Sequence, residues 1–192
     1  DNISEQDLMD KLGVSKTPVR EALIELDAQG YIVRAPRKGA SVFKPTLEEL
    51  LVISEVNARL HGMATGLAAR RLSDGRKRAL IAATQACMDH ALTYGDDRPD
   101  EFFDLNYSYH KVIVESALND YLYHLIVNSS RKILAYYRIR HNFPGNSMRA
   151  ARDHEQITAL MLDKDFDGAE RLIIQHSTID SVEALNLMGS IH

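Results

Sequence analysis

The chain has 192 residues, of which 45% are hydrophobic and 26% charged, and its formal net charge is −4. This composition excludes collagenous and disulfide-rich secreted proteins, and no apolar run approaches the roughly 18 residues that a membrane span needs. The single Cys87 has no partner for an internal disulfide, and the sequence shows no positively charged start followed by an apolar core, so we expect no secretory signal and a cytoplasmic protein.

Charge and histidine are distributed unevenly along the chain. Residues 1–45 are neutral overall, so the net negative charge lies in residues 46–192. Residues 31–45 nevertheless hold four basic side chains and no acidic one. All eight histidines lie at or beyond His61. A local basic stretch can bind a polyanion although the whole chain is acidic, whereas an ordinary solvated hairpin would show the same composition.

Residues 4–43 predict a helix, a tight turn, a second helix and a β-hairpin. Apolar Ile3, Leu8 and Leu12 indicate a short amphipathic helix that ends at Gly13. A second helix follows, capped by Ser15 or Thr17, with Pro18 in its first turn. Its predicted buried face consists of Val19, Ala22, Leu23 and Leu26.

Gly30 ends that helix, and two β-prone runs at 31–34 and 40–43 predict a hairpin joined by 35–39. Lys44-Pro45 interrupts regular structure, which places a domain boundary after residue 45. Residues 46–192 predict an antiparallel bundle of six helices. The predicted helices are Thr46 to about Leu72, Ser73 to Gly95, Pro99 to Leu118, Asn119 to Arg140, Ser147 to Leu162, and Asp165 to about Met188.

Two short helices followed by a basic hairpin are typical of a winged helix-turn-helix, whose second helix enters the DNA major groove by its N-terminal end. The hydroxyl and cationic side chains at that end suit phosphates and guanine edges, and the hairpin can add Arg37 and Lys38. A small helical subdomain with a hairpin of no function is the alternative.

Residues 3–8 (Ile-Ser-Glu-Gln-Asp-Leu) and 12–23 (Leu-Gly-Val-Ser-Lys-Thr-Pro-Val-Arg-Glu-Ala-Leu), with Leu26 and Gly30-Tyr31, closely resemble the signature of the GntR family. Residues 36–42 look like the wing of that family. The family's first helix lies upstream of this signature, so the chain, which begins at Asp1, is expected to carry an incomplete winged helix.

Together, the pattern and the resemblance imply a set of DNA-binding residues. They are Gln6, Ser15, Lys16, Thr17, Arg20, Arg37, Lys38 and Gly39. Many relatives carry Arg where this chain has Lys16, and Gln6 takes a position often held by a basic residue. Since Lys offers a point charge instead of a bidentate fork, weaker base reading is expected there.

Three histidines of the helical region fall on faces that are predicted to point inward. His110 shares a helix face with Asn106, because the two are four residues apart, and His154 and His176 lie among apolar residues of later helices. Three imidazoles from three helices could converge on one divalent cation. Three separately hydrogen-bonded core histidines, or a metal-free polar pocket, are the alternatives.

The helical region also resembles the FCD-type ligand-binding domain of the FadR subfamily. Asn106-Tyr107-Ser108-Tyr109-His110 looks like one FCD motif, and His154-Glu155-Gln156-Ile157, with Asp167-Gly168-Ala169 before His176, matches the motif that carries the other ligands. The resemblance implies that Asn106, His110, His154 and His176 bind a metal. Asn106 stands where many relatives have Asp, so the site keeps more positive charge and favours an anionic effector. Imidazole ligands favour Zn²⁺ or Ni²⁺.

Other polar residues are weaker candidates for binding an effector. They are Asn57, Arg59, His61, His124, Asn128 and Arg131. We expect a packing role for Tyr121, Tyr123, Tyr136 and Tyr137, and a surface position for His90, His141 and His192. Cys87 is expected to be buried.

These observations predict a homodimeric transcriptional regulator that binds double-stranded operator DNA and responds to a small carboxylate effector, without catalytic residues. One alternative is a metalloenzyme with an appended winged helix, because three His and one oxygen ligand leave open coordination positions. In another, the metal itself is the signal.

Overall fold

The computed structural model describes residues 2–35 and 39–190. The first region contains β1 (Asn2–Ile3), α1 (Glu5–Leu12), α2 (Lys16–Ala28), β2 (Ile32–Ala35) and β3 (Gly39–Val42). The three strands form an antiparallel sheet in the order β1-β3-β2. The helices and the hairpin agree with the sequence prediction. Strand β1 was not predicted, because two residues are too few to show alternation.

The local signals at α1 and α2 act as the sequence suggests. Ser4 caps α1 by accepting a hydrogen bond from the Asp7 amide, and Gly13 takes the left-handed φ of 65° that ends the helix. Val19 and Leu23 of α2 are buried against the sheet. Leu26, predicted to be buried with them, is 37% exposed, since α1 and the sheet cover only one narrow side of α2.

The second region is all helical, in agreement with the predicted bundle. Its elements are α3 (Leu47–Arg71), α4 (Asp74–Tyr94), α5 (Pro99–Ser116), α6 (Asp120–Arg131), α7 (Leu134–Arg140), α8 (Asn146–Leu162), α9 (Phe166–Ser177) and α10 (Ser181–Gly189). The predicted capping box at the start of α3 is present, with Thr46 and Glu49 bonded reciprocally. Within the part of the chain that the structure describes, no helix is both long and apolar enough to cross a membrane.

Two of the six predicted helices are each divided in two. The fourth breaks between Arg131 and Leu134, where Ile133 leaves helical geometry and is fully buried in the core. The sixth breaks at 178–180, where the Ile179 amide donates to Ser54 Oγ and Asp180 caps α10. At both breaks the burial of an apolar side chain offsets the loss of helical hydrogen bonds. Hydrophobic periodicity alone does not predict such breaks.

Helix α3 lies at the centre of the bundle and packs against α5, α6 and α9. Its inward face is made of small residues, and a Cβ at Gly62 would lie 2.6 Å from the Ile174 side chain of α9. The two helices therefore approach closely. Helices α4, α5, α8 and α9 enclose the largest core cluster, which includes Tyr109.

Candidate functional site

Three histidines from three helices meet inside the bundle. His110 of α5, His154 of α8 and His176 of α9 each offer a ring nitrogen, and these atoms all lie within 4.8 Å of one another. His154 Nε2 and His176 Nε2 are 3.3 Å apart. The structure thus brings together the three histidines that the sequence singled out.

Neighbouring side chains hold two of these rings in place. Asp153 Oδ2 lies 2.9 Å from His176 Nδ1, so Nδ1 is assigned the proton and Nε2 keeps its lone pair. The ring of Tyr109 stacks on that of His154 at a centroid distance of 3.8 Å, and the Tyr109 hydroxyl donates to the His154 carbonyl oxygen. A carboxylate that orients a histidine through its far nitrogen is the usual support of a metal ligand.

The protonation of the cluster also suits a metal. Burial lowers the pKa of His110 and His154 well below the ordinary value, and it lowers the pKa of His176. Neutral imidazoles are the form that binds metals. His110 Nδ1 and His154 Nδ1 are buried without a hydrogen-bond partner among the described residues. Without a metal, the same geometry allows a hydrogen bond between His154 Nε2 and His176 Nε2.

A cavity of about 390 Å³ opens beside the histidines. Asn106, His110 and His176 line it, together with His61 and Arg131 from the weaker candidates. The ring of His61 lies 5.2 Å from that of His110, and burial lowers the pKa of His61 to about 4. His61 is therefore neutral near pH 7.

Three of the residues expected to line an effector site do not reach this cavity. Arg59, His124 and Asn128 are exposed and lie outside its lining. The reason is helical phase: Arg59 lies two residues from His61, so it points to another side of α3. Expectations for two surface histidines are also corrected, because His90 and His141 are buried. His192 lies outside the described residues.

The cavity wall includes Asn57, one of the weaker candidates, and further polar groups that the sequence did not single out. Asn57 receives hydrogen bonds from Ser129 and Ser130 and donates one to the Tyr137 hydroxyl, which ties α3 to α6 and α7. Lys111, Arg140 and Arg149 add positive charge.

Arg140 is already neutralised by a partner. Its Nε and Nη2 bond the two carboxylate oxygens of Glu183 at 2.5 and 3.1 Å, and Nη1 donates to the His176 carbonyl oxygen. Because Arg140 holds the backbone of His176 and is paired, it serves to position that histidine and leaves little charge for a ligand.

The predicted DNA-reading side chains of the first region lie together at the surface. Ser15, Lys16, Thr17 and Arg20 are exposed at the N-terminal end of α2, and the Ser15 hydroxyl makes no capping bond. Arg20 Nε contacts Glu5 Oε2 at 3.3 Å, an exposed pair that constrains it weakly.

Of the other four predicted DNA-binding residues, the structure describes two. Gln6 is exposed and donates to Asp10. Gly39 opens β3 with a φ of +84°, a conformation that favours glycine. Arg37 and Lys38 lie outside the described residues.

Comparison with known proteins supports both regions. Residues 1–42 match the family described as bacterial regulatory proteins of the gntR family, and residues 52–178 match the FCD domain. The HTH-type transcriptional repressor RspR of Escherichia coli is 24% identical over 91% of this chain and 75% of its own length. The Nta operon transcriptional regulator of Aminobacter aminovorans is 26% identical over 92% of this chain and 80% of its own length.

Solved structures share the fold. Escherichia coli McbR/YncC superposes with a TM-score of 0.76 at 18% identity, covering 99% of this chain and 88% of its own. A GntR regulator from Rhodococcus sp. RHA1 gives 0.72 at 16% identity, with 100% and 88% covered. The matched families and the named relatives are transcriptional regulators and not enzymes. The chain is therefore a transcriptional regulator of the GntR family with a C-terminal FCD domain.

Proposed function

We propose that this regulator binds operator DNA through residues 1–45 and that a small carboxylate, bound on a divalent metal in residues 46–192, controls its affinity for DNA. The observation that carries the proposal is the convergence of three neutral histidines, one of them oriented by a carboxylate, beside a cavity with cationic walls. This arrangement supports the FadR-subfamily assignment. We propose a cytoplasmic location, because the operator DNA that the protein would bind lies there.

The proposed metal ligands are Asn106, His110, His154 and His176, with Zn²⁺ or Ni²⁺ as the favoured ions. A metal held by neutral ligands keeps its full charge, so it would attract a carboxylate. No catalysis is needed, because an effector that binds two conformations with different affinity is enough to shift DNA binding. A regulator that senses the metal alone would release DNA on metal addition without any acid.

We expect DNA binding to depend on the exposed end of α2 and on the wing. Arg20→Ala should cost about 1–3 kcal/mol if Arg20 reads a base edge, and adding Lys38→Ala should weaken binding further by removing a phosphate contact. The measurement is fluorescence anisotropy of the full chain on a duplex selected from a random pool, at physiological salt.

The matched control removes the same charge elsewhere. Arg59→Ala with Lys77→Ala changes two exposed cations of the bundle and should leave DNA binding unchanged. Equal affinity of the wild type and the Arg20→Ala, Lys38→Ala variant would contradict the assignment of this surface.

We also propose that the protein acts as a homodimer, because one recognition helix reads few base pairs and a two-fold operator requires two. Both α3 and α6 carry exposed apolar side chains, Val52 and Val56 on α3 and Tyr121 and Leu125 on α6, and such side chains suit a protein interface. Light scattering at micromolar concentration should give twice the chain mass of 21.6 kDa. Leu125→Glu should shift the mass towards the monomer, and a strictly monomeric wild type would refute the dimer.

A further inference from the structure

The cavity reaches from the histidine cluster to the DNA-binding region. Tyr31, the residue just before β2, lines it together with Arg131, the last residue of α6. The Arg131 guanidinium lies 5.9 Å from the centre of the Tyr31 ring. One wall of the cavity is therefore supplied by the winged helix itself.

Tyr31 is tied to both DNA-contacting elements. Its amide donates to the Leu26 carbonyl oxygen near the end of α2, and its own carbonyl oxygen accepts from the Phe43 amide beyond β3. A group that moves the Tyr31 ring therefore acts on the joint between the recognition helix and the wing.

The bundle meets this joint at the break between α6 and α7. Lys132 Nζ lies 5.8 Å from the centre of the Phe43 ring, and a Cβ at Gly30 would lie 3.3 Å from Lys132 Cε. The helix break thus presents two consecutive cations, Arg131 and Lys132, to the winged helix.

Arg131 differs from the other half-buried arginine of the cavity. Arg140 is paired with Glu183, whereas Arg131 has no carboxylate within 4.0 Å among the described residues and donates only to Asn128 Oδ1. Its guanidinium is therefore available to form a charge-assisted contact with an anionic ligand. Aliphatic side chains of α5 to α7 complete the wall: Val114, Ile126, Val127 and Leu134.

We propose that Arg131 forms a second anion subsite, an inference that rests on the proposed function. The effector is then an elongated acid with two anionic groups joined by an apolar chain. One carboxylate binds at the histidine cluster and the other pairs with Arg131 beside Tyr31. Binding at Arg131 changes its contact with the Tyr31 ring, so the ligand acts directly on the DNA-binding region.

The test uses acids of graded length as probes. Titration calorimetry of the full chain with one equivalent of Zn²⁺ compares the straight-chain dicarboxylates from succinate to suberate with the monocarboxylates from butyrate to octanoate. We expect one dicarboxylate to bind at least about tenfold more tightly than the monocarboxylate of equal length, as one charge-assisted contact allows.

Variants assign this gain to Arg131. Arg131→Gln should abolish it, Arg131→Lys should keep part of it, and Arg59→Gln should leave it unchanged, because Arg59 is exposed and outside the cavity. Equal binding of both series, or a gain that survives in Arg131→Gln, overturns the second subsite and leaves the proposed function standing. No binding of either series overturns both.

A fluorescence measurement tests the link to the DNA-binding region. The chain has no Trp, so Tyr31→Trp gives a single reporter in the cavity wall. The preferred dicarboxylate should shift its emission more than the monocarboxylate does. Tyr94→Trp, at a position that is 37% exposed and outside the cavity, should not respond. An unchanged Tyr31→Trp spectrum on saturation with the dicarboxylate overturns the coupling.

Discussion

Replacing His154 with alanine is expected to lower the affinity for Zn²⁺ by at least about 100-fold, since even a lost supporting contact costs 10–100-fold and His154 is a proposed ligand. The His154 ring is fully buried and stacked on the ring of Tyr109, which fixes its position in the cluster. DNA binding should be largely retained, because Val19, Leu23, Ile32 and Ala40 form a separate core in the first region. The response of DNA binding to acids should be lost.

The measurement combines elemental analysis of the purified protein with calorimetric titration of Zn²⁺ and Ni²⁺. His124→Ala is the matched control, since His124 is exposed and lies outside the cavity. A wild type that carries no metal after purification without chelator, and takes up neither ion, would show that the histidines form a metal-free polar pocket.

Asn106→Asp tests the role of the neutral ligand in the same assay. The added carboxylate should tighten the metal and weaken the acid, because it neutralises charge that the acid would otherwise meet. Asn106 lines the cavity on the same helix as His110, one turn away. If the substitution leaves the affinity for the metal unchanged, Asn106 is not a ligand.

The recognisable motifs predicted the winged helix and the convergence of the histidines, because both follow from local spacing. His110 lies on the same helix face as Asn106, and the apolar neighbours of His154 and His176 predict that these rings point inward. The contacts that support the cluster could not be predicted in this way. Asp153 precedes His154 by one residue and still reaches His176 of another helix, a relation that depends on how α8 and α9 pack.

The broken helices show a second limit of periodicity. The run from Asn119 to Arg140 keeps helical spacing through Ile133, yet Ile133 is fully buried in a cluster with Leu50 and Leu187 at the cost of helical geometry. Tertiary burial decided the conformation there. The same break directs Arg131 and Lys132 at the winged helix, so the feature hardest to predict joins the two regions.

Mild acid is expected to destabilise the metal-free protein strongly. Five buried histidines, His61, His110, His141, His154 and His176, have their pKa lowered by burial, that of His61 to about 4 and that of His141 to about 3. In the unfolded chain a histidine titrates near 6.5. Below that pH the unfolded state therefore binds more protons than the folded state, and the free energy of unfolding decreases as the pH falls.

A histidine whose pKa lies well below the pH contributes a slope of up to about 1.4 kcal/mol per pH unit, so the buried histidines together should make stability depend steeply on pH. A typical domain has a total stability of about 5–15 kcal/mol, so most of it should be lost between pH 6.5 and about 5. Asp96 contributes to stability down to a lower pH than the histidines do. Its pKa is lowered in the folded state by hydrogen bonds from Gly145 and Ser147, so this contribution is lost only in stronger acid. The measurement is the urea midpoint at pH 7, 6 and 5 in the presence of chelator. His141→Gln removes one of the five and should reduce the slope. A midpoint that is equal at pH 7 and pH 5 would show that these imidazoles take up protons in the folded state.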